Sequence, residues 1–331
     1  MKYFVTGATG FLGGVLVRQL LAAGHSLNAV VRSPAKAAGL AALGVALFPG
    51  DVTDKASLRA PMQGADGVFH VAGWYKLGQR DSRQAMRVNV EGTRNVLETM
   101  RELGLAKDVY TSTLAVFSDT HGQKPDETYR FRGQHLSEYD RTKALAHDLA
   151  EGFIQEGLPL VIVMPGVIYG PGDTSSLGRA LELYRQGRLP MIPSGTTFCF
   201  GYVDDIARAH LLAMEKGKPG ERYIIAGPCH RLSEFFELAE AITGVRAPRL
   251  RAPPGLMRAA AALMGLAEKV GPLPEQYTRE YLRVNAGVTY MGDNAKARRE
   301  LGYEPRPLRQ GVYEMLTSFA NTGQPAAAPP A

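Results

Sequence analysis

Short apolar runs rich in β-branched and aromatic residues recur through the first half of the chain, at 3–6, 27–31, 45–48, 68–71, 109–112 and 160–163. Between them lie longer stretches whose apolar residues return at helical spacing, notably 12–23, 82–103 and 138–156. Leu160-Val161-Ile162-Val163 is apolar at every position, which suits a strand covered on both faces rather than one with a wet side. Regular strand–helix alternation of this kind predicts an α/β fold with a doubly wound parallel sheet.

After Pro165 the pattern loosens. A Gly/Pro-rich stretch at 166–173 leads to a helix near 177–186, a short strand near 198–200, a helix over 204–216 and a strand over 223–226. A further helix over 234–242 is expected to be capped by Ser233 and ended by Gly244. The predicted organisation is a first unit over 1–165, rejoined by segments near 198–226. A smaller mixed α/β lobe follows from 166–197 and 227–320. The Pro/Ala-rich tail, 321–331, is expected to be disordered.

Composition narrows the function classes. The chain has 331 residues, 45% of them hydrophobic and 21% charged, an ordinary globular balance. Its 38 basic and 32 acidic residues leave +6, and the basic ones are scattered rather than striped, which argues against a nucleic-acid partner. Two cysteines, Cys199 and Cys229, exclude a disulfide framework and a four-thiolate zinc site. No histidine pair has ligand spacing, so no metal is expected. The apolar stretch from Met257 to Leu266 falls well short of the roughly 20 residues that span a bilayer. With no leader ahead of the first strand, a soluble cytoplasmic protein without a membrane partner is expected.

The first strand runs into Thr6-Gly7-Ala8-Thr9-Gly10-Phe11-Leu12-Gly13 and then directly into an apolar helix. Glycines let the backbone turn sharply and approach a ligand, while a helix N-terminus offers free N–H groups to a pyrophosphate. Dinucleotide binding by Gly7, Thr9, Gly10, Phe11, Leu12 and Gly13 is the resulting expectation. An acid at the end of the second strand would hold a free ribose hydroxyl, but Arg32 stands there, with Lys36 following. Two cations suit a 2′-phosphate, so NADP(H) is expected ahead of NAD(H). Asp51 is placed to accept from an adenine amino group while Val52 packs on the ring.

Tyr139 and Lys143 lie four apart in a helical segment and so share a face. A nearby ammonium lowers the pKa of a phenol, which can then exchange a proton with an alkoxide. The fifth strand ends in Thr111-Ser112-Thr113, at the end of the sheet where ligands bind in such folds.

These motifs, together with Gly50-Asp51-Val52, His70-Val71-Ala72-Gly73, Asn89-Val90-Glu91-Gly92-Thr93, Pro165-Gly166-Val167-Ile168-Tyr169-Gly170-Pro171 and Tyr202-Val203-Asp204-Asp205, form an ordered series. The series resembles the extended short-chain dehydrogenase/reductases, an NAD-dependent epimerase/dehydratase-like family with a Rossmann-type sheet. Within the family it is most similar to the dihydroflavonol-4-reductase and 3β-hydroxysteroid-dehydrogenase-like branch. The resemblance implies Thr113 as the catalytic hydroxyl, with Ser112 the alternative, and Tyr139 as acid–base. It implies that Lys143 also holds the nicotinamide ribose and that Asn89 orders the proton relay or its own helix. It places Val71, Ala72, Gly73 and Thr111 along the cofactor cleft and Pro165, Val167 and Ile168 beside the nicotinamide. Thr142 departs from the serine that often precedes the lysine.

Leu114-Ala115 follow Thr113 where dehydratases of this type carry an Asp-Glu pair, so dehydration lacks its acid and base. Trp74, Tyr75, Met191 and Phe198 suggest a substrate with an apolar or aromatic body. The expected activity is NADPH-dependent reduction of a ketone or aldehyde. A sugar epimerase using bound NAD(P) and a non-catalytic NADP-binding redox sensor are the alternatives. Family resemblance also implies a homodimer through a four-helix bundle. Its faces would carry Met86, Val90, Leu97 and Met100 on one helix and Leu145, Leu149 and Phe153 on the other.

Overall fold

A computed structural model of the chain describes residues 1–78 and 82–321. The first half alternates through β1 (Lys2–Thr6), α1 (Phe11–Ala22), β2 (Ser26–Val31), α2 (Ala38–Ala42), β3 (Ala46–Pro49), α3 (Ala56–Met62), β4 (Gly67–His70), α4 (Arg83–Ala85), α5 (Gly92–Leu103), β5 (Asp108–Thr111), α6 (Glu138–Gln155) and β6 (Leu160–Met164). The second half holds β7 (Val167–Tyr169), α7 (Ser176–Arg185), β8 (Ile192–Pro193), β9 (Thr197–Tyr202), α8 (Val203–Lys216), β10 (Arg222–Ile224), β11 (Cys229–Arg231) and α9 (Leu232–Thr243). It closes with β12 (Arg251–Ala252), α10 (Pro254–Ala267), α11 (Arg279–Val284), β13 (Thr289–Tyr290), α12 (Ala295–Leu301) and α13 (Leu308–Asn321).

Seven parallel strands pair in the order β10-β6-β5-β4-β1-β2-β3. Phe4, Val5, Val68, Phe69, Val109 and Val161 are wholly buried in it, as expected of strands covered on both faces. Helices α1 and α8 pack together on one face, and α3, α5 and α6 cover the other. The order reverses between β1 and β4, so the C-terminal ends of these strands and of β5 open onto a shared crevice.

The smaller sheet runs β11-β9-β13, with β7 paired to β9, above a core shared by α7, α9 and α13. Here β9 departs from expectation. It does not rejoin the first sheet; only α8 and β10 return to it. Cys199 and Cys229 face each other across β9 and β11 and form one cross-strand disulfide, which cysteine counting did not suggest. Ser233 lies inside α9 rather than capping it, because the helix starts two residues earlier, at Leu232; Gly244 does end it, in the left-handed conformation. Helix α13 extends to Asn321, so the expected disordered tail from 322 onward lies outside the described residues. Leu97, Met100 and Phe153, expected on an assembly face, are buried in the chain's own core, whereas Leu145 is exposed.

Candidate active site

The glycine loop joins β1 to α1 in the crevice. Gly7 sits at φ +72°, and a Cβ there would lie 2.7 Å from the Ala72 backbone nitrogen. A Cβ on Gly13 would collide with the Gly7 carbonyl. The cradle therefore exists only because these positions lack side chains. Helix α1 begins after Gly10 with no side-chain cap and no acid in its first turn, so its leading N–H groups remain available to an anion. The Leu12 side chain is turned into the core, leaving only its backbone for this role.

Arg32 and Lys36 are both exposed at the end of β2, and Arg32 makes only a 4.0 Å contact with Asp51. One Asp51 oxygen accepts from the Thr53 N–H and hydroxyl, each at 2.9 Å, while the other faces Arg32. The carboxylate thus caps its own loop and retains one oxygen for a ligand. Val52 departs from expectation: its side chain is buried against Gly92, so it is core rather than an open platform. Thr111 departs likewise. Its hydroxyl bonds His210 Nε2 at 2.9 Å on α8, and only its carbonyl faces the site.

A buried polar chain sets the loop after β4. Thr93 Oγ1 donates to the Asn89 carbonyl at 2.6 Å, so it accepts from His70 Nε2–H at 3.0 Å. His70 Nδ1 is then the acceptor for the Thr6 hydroxyl at 2.8 Å. Thr6 Oγ1 in turn accepts the Val71 and Ala72 N–H groups, each at 3.1 Å. Burial, and secondarily the Lys143 charge, holds His70 down to about 3, so it is neutral as this pattern requires. The arrangement fixes the Val71–Gly73 backbone over the glycine loop. Nothing in the local pattern announced it, although polar Thr6 and His70 inside apolar strands were the available signal.

Asn89 lies in a π-helical segment, Met86–Glu91, between α4 and α5. Its amide accepts from Trp74 N–H at 2.7 Å and donates to Trp74 O and to Thr142 Oγ1, each at 3.0 Å. Thr142 donates onward to the Glu138 carbonyl at 2.9 Å. Asn89 therefore ties the β4 loop to α6 through the residue just before Lys143. Its side chain thereby positions the loop against α6.

The turn that follows β5 aims the next two hydroxyls in different directions. Ser112 points into α6 and bonds His147 Nδ1 at 2.8 Å, whereas Thr113 lies beside the Tyr139 phenol, near enough to favour its ionised form. Thr113 also accepts the Ala115 N–H at 3.1 Å, which leaves its own proton free to donate. Thr113, not Ser112, is thus the hydroxyl presented beside Tyr139. Burial pushes Tyr139 up to about 12, with the neighbouring Thr113 hydroxyl opposing, so the phenol is protonated at neutral pH. Lys143 Nζ donates to Thr111 O at 2.8 Å and Tyr110 Oη at 3.2 Å, and burial lowers it to about 7. In this state the ammonium is anchored on β5, and burial raises the Tyr139 pKa where the ammonium was expected to lower it.

An apolar wall adjoins the pair. Val284, Val288 and Tyr290 pack with Leu77, Ala115, Leu136 and Phe198, and Phe198 stacks on Tyr290 with centroids 5.9 Å apart. Glu280 of α11 straps the mouth, its two oxygens accepting from Gly78 N–H at 2.7 Å and Glu138 N–H at 2.8 Å. Trp74 is half-buried in the Asn89-held loop, whereas Tyr75 and Met191 are exposed, Met191 leading into β8. Pro165 accepts from Leu114 N–H at 2.9 Å, which sets its segment beside the fifth-strand loop. Val167 and Ile168 follow it in β7, half-buried against the two flanking cores. Among the described residues no cluster of His, Cys, Asp or Glu could hold a metal.

The NAD dependent epimerase/dehydratase family model matches residues 3–226. The chain is 33% identical to "Sterol demethylase protein B" of Methylococcus capsulatus, covering 98% of this chain and 99% of the relative. It is 33% identical to a putative dihydroflavonol 4-reductase of Synechocystis sp., with 97% and 95% covered. It is 32% identical to a farnesyl-dihydroquinoline-oxide ketoreductase of Stigmatella aurantiaca, with 98% of each covered. Among solved structures it superposes on the crystal structure of gox2253 with TM-score 0.85 and 33% identity, covering 97% and 98%. A Thermus thermophilus UDP-glucose 4-epimerase in complex with NAD shares the fold at TM-score 0.75 and 22% identity, with 97% and 99% covered. The glycine cradle, the Tyr139–Lys143 helix and these matches together place the chain in the NAD-dependent epimerase/dehydratase family of extended short-chain dehydrogenase/reductases, as an NAD(P)-dependent oxidoreductase.

Proposed function

We propose that this protein is an NADPH-dependent reductase of a ketone or aldehyde borne on an apolar or aromatic small molecule. The observation that carries the reading is a protonated Tyr139 next to the Thr113 hydroxyl, beside the wall formed by Ala115, Leu136, Phe198 and Val288. The residues fit the cofactor: Gly7 and Gly13 leave room for a pyrophosphate, and exposed Arg32 and Lys36 suit a 2′-phosphate better than a bare hydroxyl. When bound, the reduced nicotinamide supplies the hydride.

Thr113 donates to the carbonyl oxygen and fixes its position. Tyr139 gives that oxygen its proton as negative charge develops there. Lys143, within reach of the same helix face, holds the ribose and offsets charge on the phenolate that remains. The apolar wall excludes water and selects a greasy body over a sugar nucleotide. Leu114 and Ala115 offer no acid or base for a second proton transfer, which weighs against dehydration.

A panel of aldehydes, ketones and nucleotide sugars, followed by loss of the reduced-nicotinamide absorbance, tests the reading. Faster consumption of NADPH than NADH with apolar carbonyl compounds is expected. Conversion of a nucleotide sugar with no net cofactor oxidation would overturn it.

A further inference from the structure

The helix α10 contains the apolar stretch Met257–Leu266, and most of that stretch does not face the core. Met257 and Ala261 point inward, while Leu256, Leu263 and Leu266 are each 61% or more exposed. Their spacing, continued by Ala259, forms a single stripe along the outer face. Val270, just past the helix, is 92% exposed, and Leu250, just before it, is 59% exposed. A surface run of large aliphatic side chains of this extent marks a site of association rather than ordinary exposure.

The segment that carries the stripe is basic. From Gly244 to Ala267 there is no Asp or Glu, whereas Arg246, Arg249, Arg251 and Arg258 all occur, and Lys269 follows. Arg251 pairs with Glu237 at 2.9 Å, and Glu268 is turned to cap α11 through the Arg279 N–H at 2.9 Å. Arg246, Arg249, Arg258 and Lys269 are exposed. Arg258 on α10 and Lys269 in the turn just past it are both exposed next to the leucines, where long basic side chains can reach lipid phosphates while the leucines enter the acyl boundary.

We infer that α10 is an interfacial helix that docks the protein peripherally on an anionic bilayer. Among the described residues no helix is long and apolar enough to cross a membrane, and docking needs none. The position has a consequence for the substrate path. Helix α10 packs on α11, which supplies Glu280 to the mouth and Val284 to the apolar wall. Docking through α10 would set the mouth of the pocket close to the lipid in which apolar carbonyl compounds concentrate. The inference rests on this surface and not on the assigned reaction.

Co-sedimentation of the full chain with vesicles tests it. Binding is expected to vesicles of phosphatidylcholine with phosphatidylglycerol, to be at least tenfold weaker to phosphatidylcholine alone, and to weaken with salt. Leu263→Glu with Leu266→Glu should abolish binding without lowering the melting temperature. Arg258→Glu with Lys269→Glu should weaken it by at least about fivefold for each charge. No binding of the wild-type protein to anionic vesicles, or equal binding by both variants, would overturn the inference. So would a leucine variant that converts a dimer to a monomer while the wild type ignores vesicles, since the stripe would then be covered by a second copy.

Discussion

Replacing Asn89 with alanine removes three hydrogen bonds at one stroke: one from Trp74 N–H at 2.7 Å and two donated at 3.0 Å to Trp74 O and Thr142 Oγ1. Asn89 is wholly buried, and water can reach the freed groups only if the β4 loop moves. Each bond is worth about 1 kcal/mol net, so the loss is roughly 2–3 kcal/mol. Unfolding entropy grows with chain length, so in a chain of this size that loss lowers the melting temperature by roughly 3–5 °C. Because the amide joins the Trp74 loop to the residue before Lys143, cofactor affinity and turnover should fall together. Differential scanning calorimetry and NADPH titration read both quantities. A melting temperature within about 1 °C of wild type, alongside a large loss of turnover alone, would refute the positioning role and favour a direct part in the chemistry.

Arg32→Ala should weaken NADPH binding by about 1.5–3 kcal/mol, roughly 10–150-fold, and leave NADH nearly unchanged; equal affinity of the wild type for both cofactors would contradict the assignment. Lys143 titrates near 7, so its charge is present below that pH and lost above it. Cofactor affinity should therefore decline as pH rises through about 7 in the wild type and stay flat in Lys143→Met, measured by fluorescence titration. Asp140, buried against the Tyr290 hydroxyl, is raised to about 7. Between the ordinary carboxyl range and that value the folded protein keeps a proton the unfolded chain has lost. The contribution is thus complete at low pH and lost as pH rises through about 7. Melting curves of wild type and Asp140→Asn at pH 5 and pH 8 should differ in this slope, and parallel behaviour would contradict it.

The sheet was legible because its strands are built on short runs of apolar residues and the glycine loop marks where the first helix begins. The Tyr139–Lys143 spacing was legible for the same local reason. Side-chain direction past the end of a strand was not. Ser112 and Thr113 are equivalent in sequence, and only the turn into the Leu114–Phe117 segment aims one at His147 and the other at Tyr139. Val52 and Thr111 were misplaced for a related reason: each lies at a strand end, and packing against α5 or α8 decides which way it faces. The Thr6–His70–Thr93 chain joins residues far apart in sequence, and such partners carry no periodic signal. The apolar stretch in α10 was read only for its length; its meaning depends on which face the fold leaves uncovered.

The central claim is that Tyr139 supplies the proton in carbonyl reduction. Tyr139→Phe keeps the ring and its packing but removes the hydroxyl that lies beside Thr113. Single-turnover consumption of NADPH with a carbonyl substrate that the wild type reduces is the direct measurement. Cofactor affinity should be unchanged while the rate falls by roughly 10²–10⁴-fold, the usual worth of a positioned general acid. A rate within a few-fold of wild type would contradict the account and leave Tyr139 without a part in the reaction.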